Sequence, residues 1–349
     1  MHSVASTAPA QIVALDDAGW QALVTRRPDA TCFHRPQWAS LIGDCYRFPA
    51  FAVVTRGTGG EVLAGLPVVE VRSPSRARRW ICLPFTDECG PLADGHGEAQ
   101  ALLRAADRLR RECGVADLVV RAEAGLPEVA PAQVAVTHTL ALRRAQGGDR
   151  PRPRASVRRA IAAADRAGVH VRAAETAPDL TDTFYRLHVR TRRRQGVPVQ
   201  PRRYFRLLWE RMIEPGYGFV LLAEAGGQAV AAAVYLTGGE TVTYKYGASD
   251  DRAWSLRPNH AVMARAIARA ADEGYAAFDF GRTDLDNAGL IRFKETWGAV
   301  ATALSYTSFA GEPGYGSGRR AQALLAPVIR RSPPFLCRGL GELLYRYAA

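Results

Sequence analysis

The stretch 218–249, GFVLLAEAGGQAVAAAVYLTGGETVTYKYGAS, holds three apolar runs parted by Gly-rich turns. Runs of this length, rich in Val, Leu and Tyr, read as an antiparallel meander with strands at 218–225, 228–238 and 240–249. Downstream, RPNHAVMARAIARAADEGY (257–275) has the period of a long amphipathic helix, and AAFDFG (276–281) reads as a short buried strand. NAGLIRFKETWG (287–298) then reads as a helix stopped at Gly298, and ATALSYTSF (301–309) as a last strand.

Upstream of the meander, SVRRAIAAADRAG (156–168) predicts a helix with Ser156 as N-cap and Gly168 at its stop. VHVRAAE alternates as a strand, and helices follow at 178–196 and 201–216. The order is α-β-α-α-β-β-β-α-β-α-β, a meander followed by a β-α-β crossover, which is the element order of the GNAT acyltransferase fold. A blurred copy runs through the first 142 residues, with helices near 17–26, 36–43 and 98–113 and strands at 50–56, 61–71, 78–83, 116–121 and 133–142. The prediction is an α+β chain of two tandem GNAT-like acyltransferase domains, 1–145 and 156–310. Between them the Pro-, Gly- and Arg-rich segment 146–155 reads as a linker, and 311–349 as a basic, partly helical tail.

Charge and cysteine usage narrow the partners. The 349 residues carry 46 Lys and Arg against 34 Asp and Glu, a net charge of +12. That surplus favours an anionic partner such as nucleic acid, a phosphorylated metabolite or an acidic membrane face. Arginine drift in a GC-rich coding background accounts for part of it, since lysine occurs only at 245 and 294. The six cysteines form no CxxC pair, so a reducing compartment is expected. The N-terminus lacks a basic start before an apolar core, and no run reaches the ~20 apolar residues of a spanning helix, so the expected location is cytoplasmic. No HExxH, Ser-His-Asp or Cys-His arrangement stands out, which argues against a metal and against covalent catalysis.

A GNAT enzyme that uses acyl-CoA holds the pyrophosphate on backbone N–H groups at the start of its long helix, where a glycine-rich turn allows close approach. Here that junction reads SLRPNHAVMARA: Arg257 begins the turn, Pro258 removes a donor and no glycine follows until Gly274. Acyl-CoA is therefore the less expected donor, and no cofactor is called for.

TFYRLHVRTRRRQGVPVQPRRYF, YKYGASD, RPNHAVMARAI, FDFGRTD and GLIRFKETWGA, in that order, resemble the FemAB family. These are aminoacyl-tRNA-dependent transferases that build peptide cross-bridges on cell-wall precursors, and they are related to BioF2-like acetyltransferase domains. The resemblance covers about 155–308; the front half matches only through FHRPQWASL, which contains Trp38, and LPFTDECGPL. The family carries two GNAT-like domains, and this chain has no room for the coiled-coil arm of some members. The resemblance implies an aminoacyl group moved from charged tRNA, as co-substrate, to an amine of a peptidoglycan precursor or other small acceptor.

The resemblance places Phe293 and Lys294 on the family's Phe-Lys pair, where the lysine is taken to stabilise the tetrahedral oxyanion of ester aminolysis. An ammonium approaches one oxygen end-on, whereas a guanidinium wants two acceptors in a plane. The other account of Lys294 is a solvated helix residue. Strand alternation puts Tyr244 and Tyr246 on one face and Lys245 on the other; the tyrosines either bind an acceptor or ribose, or pack a central strand. Arg282, beyond a buried strand, grips a phosphate or carboxylate or else pairs with Asp279. Asn259 is a helix cap or a ligand contact. Trp38 completes the substrate-binding candidates. Arg190, Arg192, Arg193, Arg194 and Arg202 form a basic tract suited to a tRNA acceptor stem, or simply complement a helix C-terminus. The tail fits either a peripheral membrane contact at the inner face or packing on the second domain. From another class, a non-catalytic RNA- or envelope-binding protein also fits the charge.

Overall fold

The computed structural model describes residues 9–72, 77–143, 152–311, 325–333 and 337. Most of the predicted linker and most of the tail lie outside the described residues. Chain contacts divide the protein into two compact units, the first built from the chain up to Val134 plus the segment from Leu304, the second from Ala135–Ala303.

The first unit contains β1 (Gln11–Val13), α1 (Ala18–Arg26), α2 (Pro36–Tyr46), β2 (Ala50–Arg56), β3 (Val62–Arg72), β4 (Arg78–Ile81), β5 (Leu92–Ala93), α3 (His96–Glu112) and β6 (Asp117–Val120). Strands β1 to β4 pair antiparallel in sequence order, β5 joins β3, and the α3 crossover returns β6 parallel to β4. Helix α3 buries Leu102, Leu103, Ala105 and Ala106, an apolar stripe at helical spacing.

The second unit repeats the plan. It holds β7 (Ala132–Ala141, from Ala135 on), α4 (Ala155–Arg166), β8 (His170–Ala173), α5 (Tyr185–Gln195), α6 (Arg202–Leu208), β9 (Gly218–Ala225), β10 (Gln228–Gly238), β11 (Thr241–Ser249), α7 (Pro258–Asp272), β12 (Ala277–Asp279), α8 (Ala288–Glu295) and the start of β13 (Val300–Ser308). Strands β8 to β11 are antiparallel and β12 runs parallel to β11. Helix α7 buries Val262, Met263, Ala266 and Ala270 against this sheet; the alanines let the helix approach closely, and Met263→Ala would cost about 2–5 kcal/mol. Among the described residues there is no coiled-coil arm.

Four details depart from the sequence prediction. The strand antiparallel to β12 is β7 (Phe278↔Leu140), while the end of β13 pairs with β6 (Thr307↔Val120). Each sheet is thus closed by the strand expected in the other domain, because apolar pattern alone does not say which sheet a strand joins. Helix α4 starts one residue before Ser156, with Arg154 in the cap position. The helix predicted from 178 opens with a π-helical turn at Asp179–Phe184, and a second such turn, Trp209–Ile213, follows α6. The described part of the tail is helical over 325–331; Ala326 packs against Gly196, and Arg193 Nε donates to the carbonyl of Arg330 at 3.4 Å. That is the packing account of the tail.

Candidate active site

A cleft of about 410 Å³ opens between β10, β11 and the start of α7, closed on the far side by Phe293 and Leu290 of α8. It forms where the sheet is irregular. Between Val234 and Tyr235 the β10–β11 register shifts, so that Tyr235 pairs with Tyr244 and Val234 with Tyr246, leaving Lys245 as the extra residue of a β-bulge. The bulge reverses side-chain alternation. Tyr244 turns toward the α7 face and the cleft, while Tyr246 turns to the opposite face, its hydroxyl 2.9 Å from that of Tyr204 and its ring against His188 and Phe205. The expectation of Tyr244 and Tyr246 on one face is corrected by that one inserted residue. Lys245 Nζ lies 5.6 Å from the Tyr246 ring centre.

Two phenols therefore line the cleft floor, Tyr235 and Tyr244, with ring centroids 5.7 Å apart. Tyr235 is fully buried and its hydroxyl has no hydrogen-bond partner among the described residues. Burial raises both phenols, Tyr244 to about 12, so both are O–H donors at neutral pH. Gly247 makes this possible: a Cβ there would meet the Tyr244 hydroxyl and lie 2.7 Å from Cζ.

The cleft rim is the first turn of α7. Arg257 caps the helix with its backbone in the left-handed region (φ 58°), where glycine is usual, and Pro258 follows at the first helical position. Asn259 is one residue further in and lines the cleft, its amide 3.4 Å from Ser249 Oγ, which also accepts from Trp254 Nε1 at 3.0 Å. It is not the cap. His260 stands between α7 and α8, edge-on to Phe293 and stacked on Trp297. Burial, and then the charge of Arg257, hold its pKa below the usual 6.5, so it is neutral at pH 7. Two phenol O–H donors beside a neutral imidazole are groups suited to oxyanion stabilisation and proton transfer.

Three comparisons bear on this arrangement. Residues 151–295 match the family model described as Acetyltransferase (GNAT) domain. Residues 151–295 thus form a GNAT-type acyltransferase domain. Among solved structures, FemX matches at a TM-score of 0.68 and 14% identity, covering 90% of this chain and 99% of that one. The C-terminal domain of a putative lysylphosphatidylglycerol synthetase from Agrobacterium fabrum matches at 0.55 and 13% identity, covering 89% and 95%. L-PGS from Bacillus licheniformis matches at 0.55 and 12% identity, covering 92% and 99%. The sequence matches no functionally curated protein. The acyltransferase is thus FemAB-like in fold.

Within this GNAT unit the remaining predicted residues fall at different depths. Lys294 is not a solvated helix residue: it is 2% exposed, and its ammonium donates to the carbonyls of Gly281 at 2.6 Å and Arg282 at 3.3 Å. It faces the end of β12, whereas Phe293, its neighbour, lines the cleft. Asp279 accepts from Thr137 Oγ1 and from the Gly281 N–H, and Arg282 donates to Asp284 at 2.8 Å. Trp38 belongs to the first unit, fully buried, its indole N–H donating to Thr86 at 2.9 Å, so it offers no surface to a substrate.

The basic tract is largely occupied internally. Arg190 pairs with Asp250, Arg194 with Asp251 across the face of Trp254, and Arg202 with Asp182; Arg192 donates to the carbonyl of Pro198. Tyr235 and His260 were missed in the sequence. The only signal was position: Tyr235 as an apparently ordinary strand aromatic, and His260 as the third residue of the long helix in RPNHAVMARAI.

Proposed function

We propose that this acyltransferase moves an aminoacyl group from charged tRNA to an amine, the acceptor being a peptidoglycan precursor or another small amine. The observation that carries the reading is the start of α7. Where a CoA pyrophosphate would need backbone N–H groups, Pro258 supplies none and the Arg257 side chain projects instead. The FemAB resemblance of the motifs in 155–308 implies the same donor class.

In this reading the ester carbonyl lies over Tyr235 and Tyr244, whose O–H groups strengthen their hydrogen bonds as the oxygen becomes an oxyanion. Lys294 adds a desolvated positive charge fixed by two carbonyls at the end of β12, and Phe293 closes the cleft against water. The attacking ammonium must lose a proton first, and neutral His260 takes it; the amine nitrogen then attacks the ester carbonyl carbon, the ester C–O bond breaks as the protonated His260 returns its proton to the leaving tRNA 3′ oxygen, and the second proton on nitrogen passes to solvent as the amide forms. The Arg190–Arg194 helix offers an outer tract for the RNA backbone, with Asn259 and Arg282 as further substrate contacts.

A second reading, an acyl-CoA donor, is favoured by the match to the acetyltransferase family model. Single-turnover transfer from radiolabelled aminoacyl-tRNA, comparing wild type with Lys294→Met, separates them. Transfer lost with tRNA retention kept supports the first reading; no transfer from any aminoacyl-tRNA, with CoA thioesters raising the melting temperature, establishes the second.

A further inference from the structure

On the sheet of the second unit, His138 of β7 stands opposite Phe280, whose N–H donates to the His138 carbonyl at 2.9 Å. Paired residues share a face of the sheet, so the imidazole lies on the face that Phe280 and Leu140 turn to the core. His138 is 0% exposed, and neither of its ring nitrogens has a hydrogen-bond partner among the described residues. Two residues back along the strand, Val136 pairs with Thr283 through backbone bonds of 3.0 and 2.8 Å. The Thr283 hydroxyl therefore falls on the same face, and it too is buried without a partner among the described residues. Lys294 reaches this end of β12 from α8 and is held on the carbonyls of Gly281 and Arg282, the two residues before Thr283.

A buried donor or acceptor without a partner costs stability, and a leucine, like Leu140 beside it on that face, would carry no such cost. Histidine at 138 is thus a place where stability is given up, which marks a group kept for function. Its charged neighbour says which function. Burial first, and then the charge of Lys294, hold the imidazole's pKa below the usual 6.5, while Glu295 opposes them; the ring is neutral at pH 7. Around them, Asp279 accepts from Thr137 and from the Gly281 N–H, Arg282 donates to Asp284, and His260 packs on Phe293 and Trp297. We propose that His138 is a positioning residue that works through Lys294: its uncharged ring, with the Thr283 hydroxyl, keeps the ammonium protonated in this buried layer. An ammonium taken out of water tends to shed its proton, and neutral polar neighbours oppose that loss. A carboxylate at 138 would hold the proton too, but would cancel the charge that Lys294 offers. An imidazole holds it without cancelling it, because the ammonium beside it keeps the ring from charging in turn. What the retained charge does for the oxyanion rests on the reading above; that it is retained through His138 does not.

The chain's two lysines make the test direct. Lysine isotope-labelled at Cε gives one signal from Lys245 and one from Lys294, each moving as its amine loses its proton. Spectra of the full chain are followed from about pH 6 to about pH 11 for wild type, His138→Leu, His138→Gln and Thr283→Val. In His138→Leu the Lys294 signal should titrate lower by about one pH unit or more, and in Thr283→Val by less. His138→Gln should fall between His138→Leu and wild type, with Lys245 unmoved throughout. The coupling is reciprocal, so in Lys294→Met the ring proton of His138, identified by its loss from His138→Leu, should titrate nearer 6.5 than in wild type. His138→Leu should also melt at or above wild type, because two unmatched nitrogens are gone; a ring kept only for packing would make it melt lower. With whichever acyl donor turns over, the alkaline limb of kcat should move down with the Lys294 signal while KM stays near wild type. A Lys294 titration indifferent to residues 138 and 283, or a His138 titration indifferent to Lys294, overturns the proposal. If no aminoacyl-tRNA donates, the donor reading falls and the titrations still decide this one. If transfer from aminoacyl-tRNA needs Lys294 while its titration ignores His138, the donor reading stands and this one falls.

Discussion

Lys294 donates to the carbonyl of Gly281 at 2.6 Å, tying the last turn of α8 to the loop that leaves β12. One of only two lysines in the chain is thus a buried cross-strut as well as a charge. Lys294→Met leaves two buried carbonyls without their donor and should lower stability by about 1–3 kcal/mol in urea titration. If the charge also acts on the oxyanion, the rate of transfer falls by a further factor of about 100 or more at saturating substrate, with binding intact. A rate loss no larger than the stability change explains would reduce the lysine to its strut role.

The approach of Tyr244 to Gly247 makes a second prediction. Gly247→Ala forces the phenol off the cleft floor, at a cost of about 1–3 kcal/mol and with loss of transfer. Tyr244→Ala removes the clash, so the double variant should be more stable than the sum of the two single changes, measured as a coupling energy of at least 0.5 kcal/mol.

His260→Gln tests the proton acceptor. Because burial and Arg257 depress its pKa below 6.5, the wild-type rate should hold to lower pH than an ordinary histidine allows and fall only below that lowered value. The variant should lose about 10²–10⁴-fold at neutral pH and lose that acidic limb, while substrate binding changes little. A variant that keeps both rate and limb would assign the proton to another group.

Stability should also fall with acid before the carboxylates titrate. His188 is 2% exposed, donates from Nε2 to Gln200 Oε1 (2.8 Å), and has its pKa lowered to about 3 by burial and then by Arg192. A depressed folded pKa means the unfolded chain binds the proton first. Stability is therefore complete above about 6.5 and falls with decreasing pH, by about 1.4 kcal/mol per unit, toward the folded value. His188→Asn should flatten urea midpoints between pH 6.5 and 4.5; an unchanged slope would mean the imidazole is charged in the fold.

The order of elements was legible because apolar period and Gly-rich turns report local structure directly, and 218–281 carried both without ambiguity. The buried Lys294 was legible as an anomaly of composition, though its contacts were not. Two features could not be read. Counting alternation along TVTYKYGAS assumes an unbroken pleat, and a single bulge at Lys245 sends Tyr246 away from the cleft. The grouping of His138 with Thr283 and Lys294 has no local signature, since β7 lies far from both in sequence. The conspicuous run Arg190–Arg194 drew attention instead, yet sequence could not show that aspartates already answer much of it.

The exchange of β7 and β13 sets a timetable for synthesis. While the first unit's residues emerge from the ribosome, β6 has no neighbour on one side until Leu304–Ser308 have been made, so a nascent chain carries an open strand edge through most of its translation. The second unit waits less, because β7 has been in hand since before its other strands appeared. A gene cut between 142 and 155 would yield a first fragment that never receives its closing strand and a second that has lost its own. The two halves of this enzyme are copies in plan, but they are completed as one product or not at all.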